Sequence, residues 1–261
     1  MKKLFVFLAM FGSTMLVAQT DTLRATVYEW NVAKVQKSNG RESRQILNGS
    51  TRDLASLGIH TSTLEPGITN HPPVAYNDRE ELLIIKQGQL KATINGHSKI
   101  LGPGGLALIV AGEEQSFQNV SDKPVTYYVI AFKTKVPVNI QRGKDGGGSL
   151  MKDWSELEVK QTDKGESRPI FDRPSSLFER FDIHATALNP GFASHLPHTH
   201  RAEEIILMIK GNAESQIGNK FYKANEGDVV FYSSQNPHAI KNIGTVQCGY
   251  FAIQWHVKKD E

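Results

Sequence analysis

The chain has 261 residues, with 30 Lys and Arg against 27 Asp and Glu, a formal charge of +3. Because the charges nearly balance and form no basic run, the composition gives no electrostatic case for binding nucleic acid. Hydrophobic residues make up 39% of the chain, enough for buried cores, and the single cysteine, Cys248, excludes an intrachain disulfide. We expect a protein stabilised by packing, with Cys248 as a buried, unreactive thiol.

Residues 1–18 have the pattern of a secretory signal peptide. Lys2 and Lys3 precede an apolar run from Leu4 to Val17, and Ala18 is a small residue suited to cleavage. The run is too short for a comfortable membrane span, and no other apolar stretch approaches that length. We therefore expect an exported protein, periplasmic or extracellular, without a membrane span in its mature form.

Short apolar runs bounded by Gly, Pro, Asn and Asp dominate the remaining chain. They predict strands at 82–85, 92–94, 106–110, 127–132, 205–209, 229–232 and 250–255. Asn95-Gly96 and Gly218-Asn219 lie between such runs at matching places and predict tight hairpin turns. This close spacing of short strands is typical of an all-β barrel or sandwich.

The sequence contains an internal repeat. With an offset of 123 residues, Glu81 aligns with Glu204, and with an offset of 124 residues Trp30 aligns with Trp154, so one residue is inserted near 74–77. A repeat of this length indicates two copies of one fold. We predict an N-terminal domain at 19–140 and a C-terminal domain at 151–261, joined by a flexible glycine-rich linker at 141–150.

The second copy carries a cluster of metal-binding residue types. His198, His200 and Glu204 share parity, so on an extended strand all three point to one face. His238 follows about one hairpin later, and the four side chains can converge on one divalent metal. Imidazole suits zinc, copper, iron and nickel, and a carboxylate adds manganese. The predicted cofactor is therefore one divalent transition metal: Mn, Fe, Zn, Ni or Cu.

This spacing resembles the first motif of the cupin superfamily, G(X)5HXH(X)3-4E(X)6G. His198, His200, Glu204 and Gly211 match it in order and spacing, and Gly191 stands one residue too early. Cupins are small antiparallel β-barrels with a metal at the centre. The resemblance therefore implies a metal site inside a β-barrel in the C-terminal half.

The second cupin motif, G(X)5PXG(X)2H(X)3N, is also present. Gly227, His238 and Asn242 match it, while Ser233 and Gln235 replace a proline and a glycine of its turn. Together with the repeat, the resemblance implies a bicupin, two tandem cupin barrels of the double-stranded β-helix or jelly-roll type. It implies as metal ligands the residues His198, His200, Glu204 and His238.

The first copy lacks this ligand set. With the offset of 123, Ala75, Asn77 and Gln115 replace the three histidines, and Glu81 alone remains. One carboxylate without imidazoles is a poor divalent site. We expect a metal-free N-terminal barrel that serves as a structural half, and binding of a ligand without metal is the alternative.

Four further residues are candidates for the C-terminal site. His195, three residues before the first ligand, is a candidate base or a contact at the pocket rim. Met208, Tyr232 and Gln254 are candidates to line a substrate pocket, because alternation places them on the inner face.

Other polar residues are assigned no role in the site. Glu203 has the opposite parity to Glu204, and this position predicts an outward salt bridge. His60 and His184 occur in both copies, which favours structural roles. Arg44 and Arg168 are candidates for ion pairs across the domain interface or for exposed turn residues.

Among bicupins, the arrangement is similar to (S)-ureidoglycine aminohydrolase, with metal in the second barrel only. That family uses glutamate, two histidines and glutamine as ligands, so the resemblance concerns architecture. Quercetin dioxygenases and oxalate decarboxylases share the His/His/Glu/His set. The resemblance thus implies a metal-dependent enzyme, of hydrolase, isomerase, decarboxylase or dioxygenase type, acting on a small polar or oxygenated molecule.

A non-catalytic barrel that binds a small molecule or a carbohydrate is the alternative function. In both cases the partner is a small molecule. Cupins often dimerise through strand exchange, so the resemblance also implies a homodimer in which the arm at 20–58 takes part.

Overall fold

The structure, a computed structural model, describes residues 23–258, and the predicted leader at 1–18 lies outside the described residues. Strands make up most of the described chain, which also contains one short α-helix and two 3-10 turns. The predicted all-β fold with two tandem barrels is confirmed.

The elements of the N-terminal half end in a short helix. They are β1 (Thr26–Tyr28), β2 (Val35–Ser38), β3 (Arg41–Gly49), β4 (Leu54–Leu64), β5 (Val74–Ala75), β6 (Glu80–Gln87), β7 (Leu90–Ile94), β8 (His97–Leu101), β9 (Leu106–Ile109), β10 (Glu114–Gln118), β11 (Val125–Thr134) and α1 (Ile140–Asp145), with a 3-10 turn at Trp30–Val32.

The C-terminal half repeats this order, except that an isolated bridge at His198 takes the place of β5 and no α-helix occurs among its described residues. Its elements are β12 (Leu150–Lys152), β13 (Lys160–Thr162), β14 (Gly165–Arg173), β15 (Arg180–Leu188), β16 (Glu203–Lys210), β17 (Asn212–Ile217), β18 (Lys220–Asn225), β19 (Val229–Tyr232), β20 (His238–Asn242) and β21 (Cys248–His256), with a 3-10 turn at Trp154–Glu156.

Each barrel consists of one large and one small sheet. The N-terminal barrel has the strand orders β12-β9-β6-β11-β4-β3-β2 and β5-β10-β7-β8. The C-terminal barrel has the orders β1-β19-β16-β21-β15-β14-β13 and β18-β17-β20. Residues of both sheets meet in one apolar cluster inside each barrel, for example Leu83 with Phe117 and Ile206 with Ile240.

A third and larger apolar cluster lies between the barrels. Leu82 and Ile84, which face away from the N-terminal barrel interior, pack in one cluster with Leu207, Phe251 and Trp255 of the C-terminal barrel. The large sheets are therefore buried on both faces, which explains why their strands read as continuous apolar runs rather than alternating ones. The barrels pack back to back across this cluster.

The halves also exchange their first strands. β1 pairs with β19 of the C-terminal barrel, and β12 pairs with β9 of the N-terminal barrel. Trp30 and Trp154, which follow these strands, pack over Gly227 and Gly104 of the opposite barrel. A Cβ at those glycines would lie 3.0 Å and 2.6 Å from the respective indole rings. The arm expected to serve dimerisation is thus used within the chain.

Arg44 and Arg168 fit neither alternative predicted for them. Each guanidinium carbon lies 4.5 Å from the centroid of the Trp ring of its own half, Trp30 or Trp154. This stacking is a cation–π contact, and it holds in place the indole ring that packs over a glycine of the opposite barrel. The two arginines therefore stabilise the exchanged arms.

Glu203 forms no outward salt bridge, so that prediction is wrong. Its carboxylate is buried and accepts hydrogen bonds from Thr51 Oγ1 (2.6 Å) and the Arg52 backbone N (3.1 Å) of the N-terminal half. Reciprocally, the buried Glu80 accepts from the backbone N of Ser176 (2.6 Å) and Leu177 (3.2 Å). Two symmetry-related carboxylates thus join the barrels.

The segment predicted as a flexible linker contains ordered structure. α1 is capped by the Asn139 side chain, which accepts from the Arg142 backbone N at 2.9 Å. The Arg142 side chain donates to the Ser175 and Ser176 carbonyl oxygens, at 2.8 Å and 3.1 Å. A Cβ at Gly143 would lie 2.0 Å from Ser176 Oγ, so close packing, and not flexibility, requires this glycine.

Three smaller predictions are confirmed. Asn95 and Gly96 form a two-residue turn with φ of 47° and 79° between β7 and β8. Gly218, at φ 59°, opens the equivalent turn between β17 and β18. Cys248 is fully buried, and burial raises the pKa of its thiol, so it stays protonated and unreactive.

Candidate metal centre

The predicted ligands meet inside the C-terminal barrel. One ring nitrogen from each of His198, His200 and His238 lies within 4.8 Å of the others. Glu204 Oε2 lies 3.3 Å from His200 Nε2 and 3.5 Å from His238 Nε2. Three imidazoles and one carboxylate therefore converge on one point, a donor set that suits a divalent transition metal.

The backbone that positions these ligands differs from the predicted single strand. β16 begins only at Glu203, and His198 and His200 lie in the loop before it. His198 is held by an isolated bridge to His238, whose two backbone hydrogen bonds measure 3.2 Å and 3.0 Å. The ligands thus converge because a loop pairs with β20, and not because of parity along one strand.

Backbone carbonyls orient two of the imidazoles. His200 Nδ1 lies 2.9 Å from the Ala202 oxygen, and His238 Nδ1 lies 2.7 Å from the Asn236 oxygen. A carbonyl can only accept, so both rings carry their proton at Nδ1 and present the Nε2 lone pair to the centre. His238 Nε2 is buried and has no hydrogen-bond partner among the described residues.

An orphaned buried acceptor of this kind is rare in folded proteins. A cation at the centre would satisfy it, and the same cation would contact Nε2 of His200 and the Glu204 carboxylate. The residues present therefore fit a metal.

The electrostatics of Glu204 support the same interpretation. Burial alone would raise the pKa of this carboxyl, but the adjacent His200 and His238 side chains lower it to about 2. Desolvation and the neighbouring imidazoles lower the pKa of His198. At neutral pH the centre thus offers an ionised carboxylate and, at His198, a neutral imidazole, the protonation states that metal ligation requires. Burial lowers the pKa of His200, but the Glu204 carboxylate raises it overall, so a bound metal would compete with a proton at this ring.

Two of the three predicted pocket residues lie at the centre. Tyr232 stacks on His238 with ring centroids 4.3 Å apart, and its hydroxyl lies 2.7 Å from Ser215 Oγ. Gln254 Nε2 lies 3.1 Å from His200 Nε2. Both residues line a cavity of about 400 Å³ above the ligands.

Met208 is not part of this cavity. It faces inward as alternation predicts, but it is fully buried in the apolar core of the barrel. Ile206, two residues earlier, is the last residue of β16 that lines the cavity. The prediction of Met208 as a substrate contact is therefore wrong, because at the level of Met208 the barrel interior is filled by apolar side chains.

His195 lies at the mouth of the cavity. Its ring meets that of His198 edge to face, with centroids 4.0 Å apart, and its Nδ1 lies 3.0 Å from the Leu196 oxygen. Burial lowers the pKa of this imidazole, so the ring is neutral at pH 7. Its position permits contact with a molecule bound beside the ligands.

Sequence reasoning missed one wall of the cavity. Asp182, His184, Thr186 and Leu188 of β15 all line it, and His184 Nδ1 lies 3.6 Å from Asp182 Oδ1. His184, for which the repeat favours a structural role, therefore lies at the cavity. The period-two spacing of these residues is the signal that could have identified them.

In the N-terminal barrel, the register assigns different residues to the ligand positions. Val74 pairs with Gln115 as His198 pairs with His238. The Gly112 backbone N donates to the Tyr76 oxygen at 2.8 Å, as Gln235 donates to the His200 oxygen at 2.8 Å. Val74 and Tyr76 thus replace the first two histidines, and the assignment to Ala75 and Asn77 was one residue out.

The remaining glutamate of that barrel has protein partners. Glu81 Oε2 accepts from Gln115 Nε2 at 2.7 Å, and its Oε1 lies 3.0 Å from Arg79 Nε. An arginine and an amide thus take the place that the histidines take around Glu204. Within residues 23–258, the metal-type cluster of the C-terminal barrel has no counterpart in the N-terminal one.

The fold and the site define a protein of two β-barrels with one metal-type centre. The chain belongs to the cupin family, because the model of the cupin domain matches residues 60–131 and 185–253. The two matched segments, one in each barrel, make it a bicupin. No curated protein matches the sequence significantly. Among the described residues, no helix has the length and apolar character needed to cross a membrane.

Several solved bicupin structures are similar to this chain. Oxalate decarboxylase from Lactobacillus farciminis, in complex with formate, is 15% identical, with a TM-score of 0.69 over 91% of this chain and 88% of that chain. Oxalate decarboxylase from Bacillus subtilis, described for its Mn(II) centres, is 15% identical, with a TM-score of 0.67 over 92% and 79%. Protein Ylba from E. coli is 17% identical, with a TM-score of 0.67 over 94% and 97%. At these identities the likeness shows the fold alone.

Proposed function

We propose that this bicupin is an exported metal-dependent enzyme that acts on a small polar or oxygenated molecule at the C-terminal centre. The observation that carries the proposal is the convergence of three imidazoles and a carboxylate at the floor of an open cavity of about 400 Å³. Four protein ligands leave open positions on a six-coordinate ion, and a site with open positions is typical of catalytic metals.

His198, His200, Glu204 and His238 would hold the metal. A bound divalent ion supplies Lewis acidity and lowers the pKa of a coordinated water. Mn, Fe, Zn, Ni and Cu are all compatible with this donor set. Mn(II) is the first ion to test, because the similar Bacillus subtilis oxalate decarboxylase contains Mn(II) centres.

Two residues beside the ligands can act on a bound molecule. His195 Nδ1 faces the Leu196 oxygen, so its proton lies at Nδ1 and Nε2 is free to accept a proton. Gln254 has an amide within 3.1 Å of a ligand nitrogen, so it can donate a hydrogen bond to a group that binds beside His200. We assign His195 as the proton acceptor and Gln254 as the group that orients the molecule.

The cavity lining supports a small, mostly uncharged molecule. Apolar side chains such as Ile206 and Ala252 alternate there with the hydroxyl groups of Ser167, Thr186 and Ser194. The lining also contains the carboxylates of Glu166 and Asp182, so it suits a small organic ligand without a negative charge. No arginine is among the described lining residues, and Lys164 Nζ already donates to the Ser194 oxygen at 2.7 Å.

The proposed site of action is outside the cytoplasm. Residues 1–18, with Lys2 and Lys3 before an apolar run, support export. Cell fractionation with N-terminal sequencing of the product tests this step, and we expect a mature chain that starts at Gln19 or Thr20. An intact Met1 on the cytoplasmic protein would contradict it.

The enzyme proposal is tested by turnover. The protein loaded with Mn(II) or Fe(II) is screened against small polar and oxygenated molecules, and each active compound is retested with His195→Gln and Gln254→Ala. We expect product formation that falls at least about tenfold in His195→Gln, the usual scale for loss of an acid–base group. Ligand-induced stabilisation without product in any screen would favour the non-catalytic binding barrel instead.

A further inference from the structure

The N-terminal barrel keeps an open cavity although its metal ligands are gone. The cavity measures about 390 Å³, close to the 400 Å³ of its C-terminal counterpart. A barrel that served only as a scaffold could fill this space with apolar side chains, as both barrels do at their floors. The cavity instead has a mixed, charged lining.

Arg79 is one of the charged residues that line this cavity, and its side chain is half-buried. Its guanidinium carbon lies 3.5 Å from the centroid of the Tyr76 ring, and its Nε lies 3.0 Å from Glu81 Oε1. The stacking fixes the guanidinium plane, and the shortest contact of the glutamate is with Nε. No described residue hydrogen bonds to the two terminal nitrogens, which form the edge that binds a carboxylate in a bidentate manner.

The charges around the cavity favour an anion. Arg41 and Arg79 both line it, and so do Glu42 and Glu81. However, Glu42 is already paired outside the cavity with Lys37 at 3.2 Å. If Lys37 is counted with its partner, three cations stand against two carboxylates at this cavity, whereas the C-terminal cavity has three carboxylates and one lysine among its described lining residues.

The remaining lining fits a hydroxylated ligand body. Ser43 and Ser62 offer hydroxyl groups. The Asn70 side-chain oxygen accepts from the Phe117 backbone N at 2.7 Å, which leaves its amide NH2 available to the cavity. The Phe117 and Tyr127 rings supply apolar surface for carbon atoms. Such a lining can bind the hydroxyl groups and carbon chain of a small sugar-like acid.

We propose that the N-terminal cavity is a metal-independent binding site for a small hydroxylated carboxylate, whose carboxylate pairs with the free edge of the Arg79 guanidinium. Gln115, buried beneath Glu81, holds that glutamate in place, so Glu81 orients Arg79 rather than a metal. The inference is independent of the chemistry at the C-terminal centre.

Calorimetric titration of the full chain tests this site with a matched pair of probes. D-gluconate carries the carboxylate, and D-sorbitol has the same carbon chain with a CH2OH group in its place; acetate is the minimal carboxylate. The titrations are repeated in His238→Ala, which disables the C-terminal centre and so removes chelation by gluconate. Arg79→Gln, Arg79→Lys and the surface control Lys220→Gln complete the set, each checked for folding by circular dichroism.

We expect one gluconate per chain at this cavity, with sorbitol at least about tenfold weaker, because sorbitol lacks the carboxylate that accepts charge-assisted hydrogen bonds from the guanidinium. In His238→Ala the N-terminal cavity should bind gluconate with the affinity that this cavity has in the wild type, and Lys220→Gln should bind gluconate as the wild type does. Arg79→Gln should weaken it about tenfold or more, and Arg79→Lys by less. Equal binding of sorbitol, unchanged binding in Arg79→Gln, loss in His238→Ala, or no binding of either gluconate or acetate would overturn the proposal.

Discussion

The two barrels place a glutamate at the same position and surround it differently. Glu204 lies against Nε2 of His200 and His238, whereas Glu81 lies against Arg79 and the Gln115 amide. A carboxylate in a barrel interior requires a positive or hydrogen-bonding partner. In the C-terminal barrel a bound metal ion can be that partner. In the N-terminal barrel the partner is a side chain of the protein itself. The fold tolerates both solutions because the backbone around them is the same.

The largest expected effect is the loss of metal affinity when a ligand of the C-terminal centre is removed. Replacing His238 by alanine removes one of the ligands, and the metal affinity should fall more than about 100-fold, beyond the range of outer-shell losses. Gln115→Ala, the matched substitution in the N-terminal barrel, should leave metal affinity unchanged. Competition titration against a chelator measures both, and a similar loss in the two variants would contradict the assignment to one barrel.

The comparison also predicts how to rebuild the missing site. Val74→His, Tyr76→His and Gln115→His restore the ligand set around Glu81, and Arg79→Ala removes the competing cation. We expect a second bound metal ion per chain. Without Arg79→Ala the new site should bind at least about tenfold more weakly, because like charges at short distance repel.

Metal titration of the designs with and without Arg79→Ala tests whether Val74 and Tyr76 occupy the ligand positions. Substitutions at Ala75 and Asn77 in place of Val74 and Tyr76 provide the control and should create no site. A second site in that control and not in the corrected design would contradict the register.

The exchanged arms should matter equally in the two barrels. Trp30→Ala and Trp154→Ala each remove an indole that packs over a glycine of the opposite barrel, and each should lower the free energy of unfolding by about 3 kcal/mol. Urea denaturation measures both. A loss confined to one variant would show that the two arms are not equivalent.

A smaller effect concerns the barrel interface. Burial raises the pKa of Glu80 to about 7, above the ordinary value of 4.5. The folded state binds the proton of the Glu80 carboxyl more tightly than the unfolded state does. The resulting contribution to the free energy of unfolding is therefore full below pH 4.5 and is lost as the pH rises through 7. Between pH 5 and pH 8, the free energy of unfolding of the wild type should fall by about 2 kcal/mol relative to that of Glu80→Gln.

Urea denaturation of both proteins across this pH range measures the difference. Glu158→Gln, an exposed substitution outside the interface, is the control and should follow the wild type. A constant difference between Glu80→Gln and the wild type at all pH values would exclude titration of Glu80.

Much of this architecture could be predicted from the sequence, since its signals are local. The repeat, the strands and the spacing of His198, His200, Glu204 and His238 are all visible along the chain. Contacts between barrels are not. Glu203 does point away from its own barrel, as parity predicts, but that face packs on the other half and is buried.

The remaining errors have similar physical causes. Alternation gives the side of a strand but not the depth along a barrel, so Met208 was placed in a cavity that ends at Ile206. Sequence alignment places an inserted residue only within a range, whereas the pairing of Val74 with Gln115 and the hydrogen bond from Gly112 to Tyr76 locate it after Tyr76. Packing and register decide these points.

Metal content is the most direct test of the central claim, that only the C-terminal barrel binds a metal. Mass spectrometry of the protein purified without chelators is compared with the matched variants Glu204→Gln and Glu81→Gln. We expect one equivalent of metal in the wild type, lost in Glu204→Gln and kept in Glu81→Gln. Two equivalents, no metal at all, or loss in Glu81→Gln would contradict it.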